Sequence, residues 1–203
     1  MALAGCQVTI GGPAEQPPSS APAGPATQSG TSPGSQAGLV VISDPGQVTG
    51  TIHGTCHYRD GGELPDPHCT PGSIDPAVTQ ANIHQTICIS GYTRKVRPPA
   101  SETDRFKYDV AYPAYGTPQT EKTELDHLVS LELGGSNDAA NLWPEDPPSP
   151  NSKDEVEDAL HRAVCDGRVT LAAAQRAIAG DWLTAESVLG LKGLPWTFTL
   201  PIR

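Results

Sequence analysis

The stretch Glu124-Leu125-Asp126-His127-Leu128-Val129-Ser130-Leu131-Glu132-Leu133-Gly134-Gly135, continued by Ser136-Asn137-Asp138 and Asn141-Leu142-Trp143-Pro144-Glu145, decides the fold. It reads as an apolar strand carrying an Asp-His pair, a Gly-Gly turn, and a second short apolar run. Directly behind it, Ser152-Lys153-Asp154-Glu155 has the capping-box pattern, with Ser152 as N-cap and Glu155 three residues on. A helix starting there carries Val156, Leu160, Ala163 and Val164 on one face, and Gly167 closes it. Strand, loop, strand and helix therefore follow one another within residues 120–167, with a carboxylate and an imidazole side by side at the end of the first strand.

Outward from this core, a second helix is expected, with Thr170 as its cap and Leu171, Ala174, Ile178 and Trp182 on one face. Residues 186–203, with Trp196 and Phe198 between prolines, form a C-terminal extension, either a strand or an extended arm. Upstream, Leu39-Val40-Val41-Ile42 is a strand-like run ended by Asp44-Pro45-Gly46, with Val48 to Ile52 as its candidate partner. Residues 54–76 are loop-like, and Ile83 to Ile89 alternates as a short strand does. Ser101 can cap a short helix through Val110 that Pro113 would stop. The expected class is α+β: one small domain over residues 38–185, built on the strand–strand–helix core, with additional short strands and a C-terminal helix pair.

Composition sets the outer limits. A chain of 203 residues has room for one domain with a tail at each end. Its 21 prolines, 21 glycines and 36% hydrophobic content are too loose for a packed body throughout. The loose part is residues 11–37, a Pro/Gly/Ser-rich stretch that reads as a disordered tether. No apolar run approaches the roughly 20 residues of a membrane span. The net charge of −10 argues against coating nucleic acid by bulk electrostatics, though not against a locally basic groove. Within residues 1–10, Leu3-Ala4-Gly5-Cys6 has the form of a bacterial lipobox, which would make Cys6 a lipidation site. The basic n-region and apolar core of a full signal are missing, since the first Lys or Arg is Arg59. Either the true start lies upstream or the match is chance. The expectation is an exported protein, lipid-anchored at the cell envelope or secreted.

Cysteine usage agrees with export. If Cys6 is the lipid site, Cys56, Cys69, Cys88 and Cys165 remain, an even number that suggests two disulfides. Of the three connectivities, Cys56–Cys69 and Cys88–Cys165 are favoured, the first bridging a Gly/Pro loop and the second tying a strand to the capped helix. The competing reading is a metal site from Cys56-His57 and His68-Cys69. Neighbouring side chains in each pair point apart, however, and no C-x-x-C spacing is present.

The ordered set Asp126-His127, Gly134-Gly135, Asn137-Asp138, Asn141-Leu142 and capped helix resembles the HNH, or ββα-metal, endonuclease family. The flanks Cys69-Thr70-Pro71-Gly72, Thr86 to Tyr92, Val164 to Gly167 and Ala174 to Ala179 are similar to its small exported bacterial members. The resemblance spans about residues 65–183. It implies a metal-dependent hydrolase of phosphodiesters in DNA, or nucleic acid generally. His127 would be the general base activating water, Asp126 a metal ligand, and Asn141 the residue that fastens the loop and orients the histidine. At the third position, near the helix start, Asn151 is the best match, with Lys153 and Glu155 as neighbours able to serve. Turn chemistry after Pro148-Ser149-Pro150 explains Asn151 equally well. Oxygen ligands of this kind suit Mg²⁺ better than Zn²⁺. Arg94, Lys95 and Arg97, and also Lys122, are candidates to contact substrate phosphates, against the plainer reading of a solvated basic face. For Asp126-His127 the plainer reading is a surface ion pair beside a turn. The alternative function is a non-catalytic envelope lipoprotein that uses the ββα scaffold as a binding or structural module.

Overall fold

Short alternating runs pair two by two. In a computed structural model, which describes residues 38–43, 46–120 and 122–193, strand β1 (Val40–Val41) pairs in parallel with β2 (Ser73–Ile74). Strand β3 (Glu124–His127) pairs antiparallel with β4 (Leu142–Glu145). Helices α1 (Tyr92–Val96), α2 (Ala100–Phe106) and α3 (Tyr112–Tyr115) lie between the two pairs, and α4 (Ser152–Cys165) and α5 (Leu171–Val188) follow them. The class is α+β with few, short strands. The lipobox, the tether and residues 194–203 lie outside the described residues.

Several local expectations are revised by tertiary context. Val48 to Ile52 is not the partner of β1; Thr49 bridges instead to Asp138. Ile83 to Ile89 is a 3₁₀ turn (Ile83–Gln85) and loop rather than a strand. There the Asn82 carboxamide oxygen accepts from Thr79 N–H at 2.8 Å and the Thr86 hydroxyl donates to the Asn82 carbonyl at 2.9 Å. Such side-chain bonds compete with a ladder for the backbone. Helix α2 is entered from Pro99 rather than from Ser101. Its path does not stop at Pro113 but continues through a π turn (Lys107–Ala111) into α3. Pro113 falls in the first turn of α3, where a proline is tolerated because that N–H needs no intrahelical partner. Helix α5 runs to Val188 across a break at Asp181, so a boundary at residue 185 falls inside a helix whose continuation, Leu191, is buried.

The cap of α4 lies one residue earlier than Ser152. The Asn151 side chain accepts from the backbone N–H groups of Lys153 (2.8 Å) and Asp154 (3.2 Å). In return Asp154 accepts from Asn151 N–H at 2.8 Å, which completes a capping box. On the other helix Thr170 caps α5 as read from sequence. The two helices pack Leu160, Ala163, Val164, Leu171, Ala174, Ile178 and Trp182 into the main core, together with Leu39, Ile74, Val129 and Leu133. A second cluster seats Trp143 and Leu128 on Cys56, Ala114 and Tyr115. Both favoured disulfides are present, Cys56–Cys69 and Cys88–Cys165, the latter holding the chain after the 3₁₀ turn against the end of α4. Two disulfides fit an oxidising, extracellular setting. No described helix is long and apolar enough to cross a membrane.

Candidate functional site

The β3–β4 register decides which side chains share a face. Glu124 lies opposite Glu145, Asp126 opposite Trp143, and His127 opposite Leu142. Side chains alternate along a strand, so Glu124, Asp126 and Glu145 share one face and His127 turns to the other. One oxygen from each of the three carboxylates lies within 4.8 Å of the other two. Glu145 is only 4% exposed, and no hydrogen bond to its carboxylate is found among the described residues. Burial first, and then the Asp126 charge, push the Glu145 carboxyl up to about 9. Glu124 is raised for the same two reasons.

Helix α4 covers this face and supplies its one buried cation. The Lys153 ammonium, 1% exposed, donates to Asp126 Oδ2 at 2.6 Å, to the His127 carbonyl at 3.0 Å, and to Glu157 one turn on. Burial alone would drive off its proton. The carboxylates of Asp126, Glu157 and Glu145 outweigh that, so its pKa is raised rather than lowered. Glu157 is itself pushed up to about 8 by burial, with Lys153 opposing and Asp126 adding to the shift. Four carboxylates thus face a single ammonium.

On the opposite face His127 is buried, and burial brings its pKa down to about 4, with the charges of Arg97 and Lys153 acting in the same direction. The imidazole is therefore neutral at physiological pH. Its Nε2 lies 2.7 Å from Asn137 Oδ1. Its Nδ1 has no hydrogen bond among the described residues, and it is not among the sealed, unpartnered side-chain atoms, which are Ser130 Oγ, Glu132 Oε1 and Trp143 Nε1. The neutral ring thus keeps one nitrogen without a hydrogen-bond partner among the described residues.

Asn141 holds the loop between the strands together. Fully buried, it accepts from the N–H groups of Val129 (2.9 Å) and Ser73 (3.3 Å) and donates to the carbonyls of Val129 and Ser136, both at 2.9 Å. The loop-fastening part of its expected role has this geometry. The contact to His127, however, comes from Asn137. Gly135 packs against the same spot, where a Cβ would lie 1.7 Å from the Val129 carbonyl oxygen. Gly134 ends a 3₁₀ turn (Leu131–Leu133) at φ 73°, a conformation that favours glycine.

Asn151 is placed differently from expectation. Its only oxygen caps α4, and its Nδ2 donates to Glu124 Oε1 at 3.2 Å and to the Pro147 carbonyl. Its side-chain oxygen is thus engaged by the helix end, while the carboxylates gathered with Asp126 are those of Glu124 and Glu145 on the strands. Glu155 is exposed, while Lys153 is a buried cation and no ligand. Arg94, Lys95, Arg97 and Lys122 are exposed, and of these Arg97 is close enough for its charge to act on His127. The residues missed from sequence are Glu124, Glu145, Glu157 and Asn137. The first two were legible in the i, i+2 spacing of Glu124 and Asp126 and in the closing Glu145, had the strand register been known.

Comparison with protein-family models, curated proteins and solved structures finds no match for this chain.

Proposed function

We propose that the chain is an exported, metal-dependent endonuclease of the HNH type, hydrolysing phosphodiester bonds in DNA or nucleic acid generally. The observation that carries this is the β3–β4 hairpin with a neutral, buried His127 on one face and the Glu124–Asp126–Glu145 oxygens on the other, backed by α4. An all-oxygen carboxylate set fits a hard divalent cation such as Mg²⁺. Glu124, Asp126 and Glu145 would hold it. When bound, such an ion offsets charge developing on phosphoryl and leaving-group oxygens. His127 would accept the proton of the attacking water through its unbonded nitrogen, since a neutral imidazole needs no prior deprotonation. Arg97, exposed beside the ring, with Arg94 and Lys95 along α1, would take the substrate's phosphates, the arginines through their guanidinium forks and Lys95 as a point charge. An anchor at Cys6 belongs to the same proposal.

Supercoiled plasmid with and without Mg²⁺ tests the reading. The wild-type protein should nick it only with metal, and His127→Ala should lower the rate by roughly 10²–10⁴-fold while remaining folded. Equal cleavage by His127→Ala would assign the activity elsewhere. A second reading, a non-catalytic envelope module on the same scaffold, is favoured by one observation: Lys153 already occupies Asp126 and Glu157 as their ion-pair partner. Absence of metal-stimulated cleavage on any nucleic acid would give that reading first place.

A further inference from the structure

A neutral imidazole carries its proton on one nitrogen or the other, and only the unprotonated one can accept. The 2.7 Å contact between His127 Nε2 and Asn137 Oδ1 does not by itself say which group donates. The far end of the Asn137 amide does. Its Nδ2 donates to the Val96 carbonyl at 2.9 Å. A carbonyl can only accept, so the NH₂ must face Val96, and the flipped amide would set two oxygens against each other. The amide oxygen therefore faces the ring, and an amide oxygen also only accepts. Nε2 must carry the hydrogen.

We infer that Asn137 is a positioning residue that locks His127 in the Nε2–H tautomer, leaving Nδ1 as the atom that takes the proton. Only the use of that proton rests on the nuclease reading; the tautomer follows from the hydrogen bonds alone. Asn137 is fully buried, so no water competes for the contact. Val96 ends α1, the helix that carries Arg94 and Lys95, and Arg97 follows it directly. One side chain thus ties the base to the segment expected to meet the substrate's phosphates. A shift of α1 on binding would be felt at the ring through a single amide.

Long-range ¹H–¹⁵N correlation spectra of the His127 ring test this in the wild-type protein. At about pH 8, well above the ordinary imidazole pKa of about 6.5, the Nε2–H pattern is expected. The Nδ1–H pattern would overturn the inference without any variant. Asn137→Leu keeps bulk but removes the acceptor, and should give mixed tautomers and a kcat lower by roughly 10–100-fold with little change in KM, the range for losing an outer hydrogen-bond partner of a working histidine. Asn137→Asp retains an acceptor for Nε2–H and should keep the wild-type ring pattern. An unchanged Nε2–H pattern in a folded Asn137→Leu protein would overturn the locking role. A wild-type protein with the Nε2–H pattern that cleaves no nucleic acid would remove the nuclease reading and support the tautomer assignment.

Discussion

Lys153 shows how much can hang on a single residue. Its ammonium holds Asp126, Glu157 and the backbone at His127 together, so it ties α4 to β3 where both faces of the candidate site meet. A buried ion pair contributes little over a well-packed apolar substitute, but removing one partner alone leaves charge with nothing to offset it. Lys153→Met is close in length, yet it would leave the Asp126 carboxylate among Glu157, Glu145 and Glu124 with no cation. The expected loss is roughly 3–5 kcal/mol of stability at neutral pH, read from urea unfolding. Protonating the carboxylates in mild acid, or adding a divalent cation, should recover part of it. A Lys153→Met variant as stable as wild type would show that the lysine is dispensable. The same residue bears on the choice of metal ligands. A lysine already bonded to Asp126 means an incoming ion must share that carboxylate, and Glu145, with the oxygen of Glu124 not held by Ser149 and Asn151, would make up the difference.

At the scale of an element, the start of α4 separates two roles that look alike in sequence. As a cap, Asn151 satisfies two backbone N–H groups at the helix end, which is typically worth about 1 kcal/mol against Ala. As a metal ligand, its loss would weaken binding of the ion instead. Asn151→Ser restores a capping oxygen of shorter reach, so the geometry predicts near-normal stability and near-normal Mg²⁺ or Mn²⁺ affinity for Ser, and about 1 kcal/mol lower stability for Ala with affinity nearly intact. Calorimetric metal titration beside thermal melts checks both; an affinity drop in both variants that outweighs the stability change would return Asn151 to the ligand set. The sequence placed α4, α5 and the Asp126-His127 strand end because those signals are local: caps, a period of 3.6, and an abrupt Gly-Gly turn. It misplaced the partner of β1 and made a strand of Ile83 to Ile89 because strand pairing is decided by distant chain, and side-chain bonds around Asn82 leave no sequence period. The site was half legible for a related reason. Asp126 and His127 are adjacent in sequence, whereas Glu145 joins them only through the ladder and Asn137 only through the folded loop.

Taken as a whole, the molecule is acidic, with a net charge of −10, and it gathers part of that charge in one mostly buried place. Glu145 and Glu157 are held at about 9 and about 8, far above the ordinary glutamate value of about 4.3. Between those limits the folded protein keeps protons that the unfolded chain has released. Stability rises with pH only where the unfolded state binds more protons. Here the folded state binds more, so the contribution of these two groups is full below about pH 4.3 and is lost as pH climbs through about 8 and about 9. The metal-free protein should therefore melt at progressively lower temperature from about pH 6 to about pH 9. A divalent cation competes with those protons for the same oxygens, so its stabilising effect should grow over the same interval, and binding near neutral pH should release protons. Thermal melts in matched buffers, with Mg²⁺ or Mn²⁺ and with chelator, read the first effect. Titration calorimetry in buffers of different ionisation enthalpy reads the second. Glu145→Gln carries no such proton and should flatten the metal-free curve while weakening the cation's effect. A pH-independent melting temperature in chelator, with no proton release on adding metal, would mean that the carboxylates of β3 and β4 are neither strained by their neighbours nor the place where the ion binds.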